Sequence, residues 1–431
     1  MNDKEFFLLA LDLSYKIENL SLELNIDKNK QEYINNIISF RDVLKAKMSE
    51  IGDNFDDIVN TSFENLLKKI NTNQSFSKEL NECIFTVRNY IAIKLPQILW
   101  DNQDMFTNEE FEKIMSFYMN SNFDVSLKSL GMLCAALTQN ISQPEKCYMF
   151  ALEAFKLYPQ IAKNFSSEYV YDENKLADKI NEYCPICGSE DAKPHFCSPQ
   201  FTYVGKNNIF SPVKLWVKCE KCGNLYSYNF PVMKMGDING KYTVNFNSGF
   251  IKPRHSLRIY SDIFNKCKNL TKGNNYLEIG IGGGEMIAAA MEMGYNVDAV
   301  EICKEDCEKV ASVLGVDIKW CDFLKFETDK KYDVIIMGDV LEHISEPVKA
   351  LEKAKNLLTE DGVLWLSTPN YNSGFSRLMK FKDAMWNQQN HFTYFSYETL
   401  LPFLEEVGLE VKRYDISNRF TGSMELYCVK K

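Results

Sequence analysis

NYLEIGIGGGEM, running from Asn275 to Met286, is the stretch on which the reading of this 431-residue chain turns. A short apolar run carries an acid, Glu278, and passes at once into Gly280, Gly282, Gly283 and Gly284 before helix-forming residues resume. That is a strand entering a glycine turn at a helix N-terminus, where an open α/β sheet receives a nucleotide-like ligand. A dinucleotide fingerprint requires glycine or alanine where Glu285 stands, and the acid at the strand end is poorly placed beside a pyrophosphate. A ligand with a cationic amino-acid part and no phosphate suits Glu278 better.

Working outward, the pattern alternates strands with helical segments, as in a parallel sheet. NVDAVEI from Asn296 reaches Glu301 and Ile302, where an acid after one β-α-β unit can take both ribose hydroxyls. VDIKW runs into Cys321, Asp322 and Phe323, and YDVIIMG from Tyr332 runs into Asp339, Val340, Leu341, Glu342 and His343. A fifth strand, GVLWLSTPN, follows the helix EPVKALEKAKNLL. After the helix YETLLPFLEEVG, the strands LEVKRYDIS and SMELYCVKK close the chain. Before the turn, SLRIYSDIFNKCKNL from Ser256 reads as a helix with Tyr260 on its apolar side. Residues 370–395 break the alternation, are rich in aromatics and amides, and are too long for a simple connection; they read as a lid over an acceptor pocket.

The E-x-G-x-G-x-G pattern, the acids at successive strand ends and DVLEH together resemble the Rossmann-like (class I) S-adenosylmethionine (SAM) methyltransferases over about 180 residues. The resemblance implies a seven-stranded sheet. It also implies a donor site built from Glu278, Gly280, Gly282, Gly284, Glu301, Ile302, Asp322, Phe323 and Asp339, with Asp322 at the adenine amino group and Phe323 supplying a backbone amide. Two of the four histidines, His343 and His391, fall where the acceptor should sit, and either suits a general base. In ubiquinone-pathway O-methyltransferases and small-RNA 3′-terminal methyltransferases, an acid-x-x-Glu-His sequence and a later histidine hold a divalent cation. Asp339, Glu342, His343 and His391 are similar in type, with Asp where those families use Glu.

Upstream, Cys184 and Cys187 form one C-x-x-C before Gly188, and Cys219 and Cys222 form another before Gly223. Two such knuckles joined by a hairpin offer four thiolates to one ion, the donor set of a closed structural zinc ribbon. His195 and Cys197 lie between them and read as loop residues. The alternation in KLWVKC and NLYSYNF fits flanking strands. A ribbon followed directly by such a domain resembles bacterial enzymes that methylate sugars or other small molecules, including zinc-ribbon sugar C-methyltransferases. This chain departs from them in its long N-terminus and in lacking their C-terminal extension.

The N-terminal segment shows helical periodicity, as in FFLLALDLSYKIENLSLEL from Phe6, YINNIISFRDVLKAKM from Tyr33 and CYMFALEAFKLYP from Cys147, with Asn54, Ser75, Asn108 and Ser142 as N-caps. It predicts six to eight helices whose role the sequence leaves open, a protein partner among the readings. The fold class is therefore multi-domain: an α-helical domain over 1–178, a zinc-ribbon segment over 179–249 and an α/β methyltransferase domain over 250–431. With 49 Lys+Arg against 59 Asp+Glu, the net charge of -10 argues against general nucleic-acid attraction. No apolar run matches a membrane span, FFLLAL is too short and acid-flanked for a signal peptide, and thirteen cysteines suit reduced thiols plus a metal site. A cytoplasmic enzyme transferring a methyl group to a small molecule or sugar is expected. A partner-binding adaptor with a vestigial SAM domain is the reading from a different class.

Overall fold

The computed structural model describes residues 4, 5, 8, 11, 12, 15, 30–50, 57–72, 74–101, 106–138, 142–176, 178–201, 210–231 and 257–431. They fall into two compact units, Met1–Tyr171 and Asp172–Lys431. Most of FFLLALDLSYKIENLSLEL, the N-cap at Asn54 and residues 232–256, with them Ser256, lie outside the described residues.

The first unit is helical: α1 (Lys30–Glu50), α2 (Asp57–Asn71), α3 (Ser77–Asp101), α4 (Asn108–Met119), α5 (Val125–Thr138) and α6 (Pro144–Leu157). Helix α3 packs on α2 and α5, and α5 packs in turn on α4 and α6. Pro96 sits inside α3 and cannot donate to the carbonyl of Ala92. The buried Tyr118 hydroxyl of α4 donates to that carbonyl instead, at 2.9 Å. Gly131 makes room for the ring, since a Cβ there would lie 2.1 Å from it. The N-cap of α4 is Thr107, whose side chain and Glu110 form a capping box, so Asn108 is the first helical residue. Helix α6 is preceded by Gln143 with Pro144 at its first turn, which displaces the expected cap at Ser142.

The second unit carries three sheets. The largest contains β6 (Asn275–Ile279), β7 (Asn296–Glu301), β8 (Ile318–Trp320), β9 (Tyr332–Gly338), β10 (Leu358–Pro369), β12 (Leu409–Ile416) and β13 (Ser423–Lys430) in the order β12-β13-β10-β9-β6-β7-β8. Pairings from β8 to β10 are parallel, and β13 is antiparallel to both its neighbours. Helices α7 (Leu257–Lys268), α8 (Glu285–Glu292), α9 (Lys304–Leu314), α10 (Pro347–Leu357), α11 (Gly374–Met379) and α12 (Tyr397–Val407) complete it. The chain leaves β6 toward β7 and β8, then returns to place β9 on the other side of β6. Loops leaving β6 and β9 therefore diverge, and the crevice between their carboxyl ends is where this topology accepts a ligand.

The cysteine segment contributes β1 (Asp178–Ile180), β2 (Ala192–Pro199), β3 (Val213–Cys219), β4 (Leu225–Ser227) and β5 (Asn229–Pro231). Strands β1 and β5 pair as a two-stranded ribbon. Strands β2, β3 and β4 form a second sheet whose far edge is β11 (Thr393–Tyr394), a piece of the segment read as a lid. His195 and Cys197 are thus strand residues of β2 rather than loop residues.

Candidate functional site

The glycine turn builds one wall of a cavity of about 1700 Å³. Gly280 has φ +76° and a Cβ there would lie 2.5 Å from Val340 Cγ2, so both conformation and the neighbouring turn require glycine. Glu278, the penultimate residue of β6, is 3% exposed and accepts a hydrogen bond from the Tyr276 hydroxyl. Burial pushes its carboxyl up to about 8, with the Tyr276 hydrogen bond and Arg419 opposing. Glu301 spans the turn: one oxygen accepts the amide of Ile281 at 3.0 Å and the other that of Cys303 at 2.7 Å. Its carboxylate fixes the loops around the cavity it lines, whatever else it binds. Asp322 accepts the amide of Leu324 at 2.9 Å, capping a 3-10 turn over Phe323–Lys325. Gly282, Ile302 and Phe323 also line the cavity. Gly284 is the residue before α8 and has φ +82°.

Trp320 and Arg419 are among the lining residues that the sequence did not single out. Trp320 is exposed at the end of β8 with its indole N–H on the carbonyl of Ile302 at 3.0 Å. Arg419, from the connection between β12 and β13, lies 3.1 Å from Asp339 and stacks over Trp365 at 5.5 Å. Asp339 itself has φ +56°, a left-handed conformation that Asp tolerates better than most residues, and accepts the Ser367 hydroxyl at 3.0 Å.

Beyond Asp339, a 3-10 turn over Leu341–His343 places Glu342 and His343 against His391, with one ligating atom of each within 4.8 Å of the others. The imidazole rings meet edge to face at 4.5 Å. His343 Nδ1 lies 3.0 Å from the carbonyl of Asn390, which only accepts, so Nδ1 carries the proton. The Tyr394 hydroxyl donates to the carbonyl of Met385 and therefore accepts from His391 Nδ1, at 2.8 Å. Burial pushes His343 down to about 4 and His391 well below its ordinary value, so both rings are neutral with Nε2 unprotonated. Glu342 is fully buried; one oxygen accepts the Thr368 hydroxyl at 3.0 Å while Oε1 has no partner. Burial, with Asp339 next to it, raises its carboxyl well above the usual range. Two neutral nitrogen acceptors and an unpartnered carboxyl oxygen meet here, with Arg419 acting on Glu342 and Lys214 on both imidazoles from outside the group.

A family model described as a methyltransferase domain matches residues 254–414. Residues 254–414 thus carry a methyltransferase domain. The ubiquinone biosynthesis O-methyltransferase of Actinobacillus pleuropneumoniae is 32% identical over 135 residues, covering 28% of this chain and 58% of that protein. The (S)-tetrahydroprotoberberine N-methyltransferase of Eschscholzia californica is 24% identical over 172 residues, covering 36% of this chain and 49% of that protein. The chain thus spans about half the length of the curated relatives it matches. Among solved structures, an S-adenosylmethionine-dependent methyltransferase from Clostridium acetobutylicum covers 43% of this chain and 96% of its own at 16% identity and a TM-score of 0.35.

The methyltransferase domain shares its unit with the four cysteines. Cys184 lies 3.6 Å from Cys222 and Cys187 lies 3.6 Å from Cys219, sulfur to sulfur. A tetrahedron with 2.3 Å metal–sulfur bonds has edges of about 3.8 Å, so the spacing fits one ion and no disulfide. The knuckles repeat in the backbone: Gly188 donates to the Cys184 carbonyl and Gly223 to that of Cys219, each at 2.9 Å and each with positive φ. Far from standing apart, this sheet is fused to residues 384–394 of the methyltransferase domain. Trp386 packs on Phe196 at 4.7 Å, and Trp216 on Tyr394 at 4.5 Å. Lys179 and Phe230 of the β1–β5 ribbon reach the cavity wall. The expected lid therefore does two things: Phe375, Met379, Met385, Gln388, His391 and Phe392 line the cavity, while Met385, Trp386 and Tyr394 pack into the cluster that holds Phe196, Trp216 and Leu225 of the cysteine-bearing sheet.

Proposed function

We propose that the chain transfers a methyl group from SAM to a hydroxyl of a small-molecule acceptor. What supports this is one cavity that runs from the glycine turn, Glu278, Glu301 and Asp322 to the Glu342, His343 and His391 cluster. Methyl transfer from a sulfonium is an in-line displacement, so alignment of acceptor, methyl and sulfur is the protein's main task, with proton removal where the acceptor requires it. The glycine turn leaves open space for the donor, and Glu278 offers a carboxyl to its cationic amino-acid end. Glu301, with Ile302 beside it, faces the ribose, and Asp322 and Phe323 the adenine. Each unprotonated Nε2 of His343 and His391 can accept a hydroxyl proton, as a base that burial makes weaker than a free imidazole. The match to an O-methyltransferase favours oxygen as the acceptor atom, and a sugar hydroxyl fits the same chemistry.

A second reading is favoured by the unpartnered Oε1 of Glu342. Glu342, His343 and His391 would hold a divalent cation, a carboxylate–imidazole set suited to zinc, iron or manganese. Such a cation supplies Lewis acidity that lowers the acceptor hydroxyl's pKa and orients it. Asp339 is committed to Arg419 and Ser367, so three residues rather than four form this set. In this reading the imidazoles are ligands and the base lies elsewhere. The four thiolates of Cys184, Cys187, Cys219 and Cys222 would hold a structural zinc with no open position.

Calorimetry with SAM tests the donor half: saturable heat in the native chain and none in Gly282→Arg is expected. Native protein without saturable heat would sink the proposal and favour the adaptor reading. Release of S-adenosylhomocysteine with catechols, hydroxybenzoates or free sugars, before and after chelation with the zinc restored, separates the base and cation readings.

A further inference from the structure

Lys214 stands in the middle of β3 and is 3% exposed, among Val213, Leu215 and Trp216, which are all buried. Its ammonium lies 3.2 Å from the carbonyl of Gln388, 2.9 Å from that of Gln389 and 2.8 Å from that of His391. Burial pushes the Lys214 amine down to about 7, with Asp178 opposing, while the three carbonyls favour the charged form, whose three donors they take. The Trp216 ring closes the remaining side, 4.9 Å away. Burying a charge among apolar neighbours is costly, and the three carbonyls it bonds offset that cost. What the ammonium adds is a fixed point for three carbonyls of a segment that has little regular structure of its own.

That segment leads into the cluster. The amide of Phe392 donates to the carbonyl of Glu342 at 2.8 Å, and the amide of Ser227 in β4 donates to the carbonyl of Phe392 at 2.9 Å. His391 is thus the one member of the Glu342, His343 and His391 group delivered from outside the β9 loop, and the backbone carrying it is bonded to the cysteine-bearing sheet on both flanks. We infer that Lys214 is a positioning residue: by gathering the carbonyls of Gln388, Gln389 and His391 it sets the imidazole of His391 against Glu342 and His343, making the cysteine-bearing sheet an integral wall of the acceptor site. The inference rests on the reading of those three side chains as one working group.

The test uses the full chain with its zinc restored and reads the position of His391 rather than turnover. Carbethoxylation of His391 by diethyl pyrocarbonate, followed by mass spectrometry, is compared in the unsubstituted chain, Lys214→Met, Lys214→Gln and Gln200→Leu. Gln200 joins the same two segments through Trp386 and Gln389 but makes no bond to the His391 backbone, so it reports a merely structural loss. Losing three charge-assisted bonds should speed labelling of His391 by about tenfold or more in Lys214→Met and by less in Lys214→Gln, whose amide keeps two donors. Gln200→Leu should stay within about twofold of the unsubstituted chain, with SAM affinity retained in all three. Unchanged labelling in Lys214→Met, or an equal rise in Gln200→Leu, overturns the inference. Should Lys214→Met fail to fold, Lys214→Gln decides, and unchanged labelling there overturns it as well. A native chain that binds no SAM would defeat the proposed function, while the labelling comparison would still decide the role of Lys214.

Discussion

In the proposed donor site, Glu278 would link SAM binding to pH. Its folded pKa, about 8, lies above its ordinary value, so between roughly pH 4.5 and 8 the folded chain holds a proton that the unfolded chain has released. The sign follows: this group's stabilising contribution is fully present below the unfolded pKa and is lost as pH rises through the folded one. Pairing with the cationic end of SAM should ionise it. Binding at pH 6.5 is therefore expected to release a proton, read by calorimetry in phosphate and Tris, whose ionisation enthalpies differ; buffer-independent heat would separate Glu278 from the ligand's charge. Glu342 is the second case. Glu342→Gln removes a buried ionisable group while its amide oxygen can still accept from Thr368, so the midpoint of thermal unfolding should hold or rise while SAM affinity stays the same. Methyl transfer should fall by about tenfold or more, and cobalt(II) binding should weaken in step if the cation reading holds. A Glu342→Gln chain with full turnover would remove the cluster from the reaction.

At the scale of elements, the fusion of residues 384–394 to the cysteine-bearing sheet carries a stability prediction. Trp386 is 6% exposed and packs on Phe196, Trp216 and Tyr394. Trp386→Ala should cost about 3–5 kcal/mol, seen as an earlier urea midpoint for loss of SAM binding; a shift equivalent to less than about 1 kcal/mol would mean that this joint does not hold the unit together. The same elements show what a sequence reveals. Strands β6, β7 and β9 were legible because an apolar run ending in an acid or glycine has few other meanings, and the knuckles because a C-x-x-C followed by glycine recurs twice at a hairpin's separation. Glu342, His343 and His391 could be named because two fall in one short motif and the third among few histidines. Lys214, Trp320 and Arg419 could not. Lys214 reads locally as a polar residue in an alternating strand, and its partners lie more than 170 positions away. Arg419 meets Asp339 only because β13 returns beside β10. The Thr107 cap was missed by one position because Asn and Thr stand side by side and either side chain can cap.

For the whole molecule, the division of labour between the units is the open physical question, and the cavity states it sharply. Among the described residues, every one that lines the cavity lies between Lys179 and Ser423, within the second unit, so the proposed donor site draws on no described side chain of the helical unit. Residues 172–431, expressed alone with zinc, should therefore bind SAM within about threefold of the full chain, because a domain with its own core keeps its site. The helical unit would then act on what reaches the site, as a protein-partner module of the kind its composition allows, rather than on the donor. A fragment that folds, shown by retention of about one zinc per chain, yet binds SAM more than about tenfold more weakly would reverse that assignment. It would mean that the first 171 residues stabilise the donor-competent form of the second unit, and the search for their role should then move from partners to regulation of the SAM site.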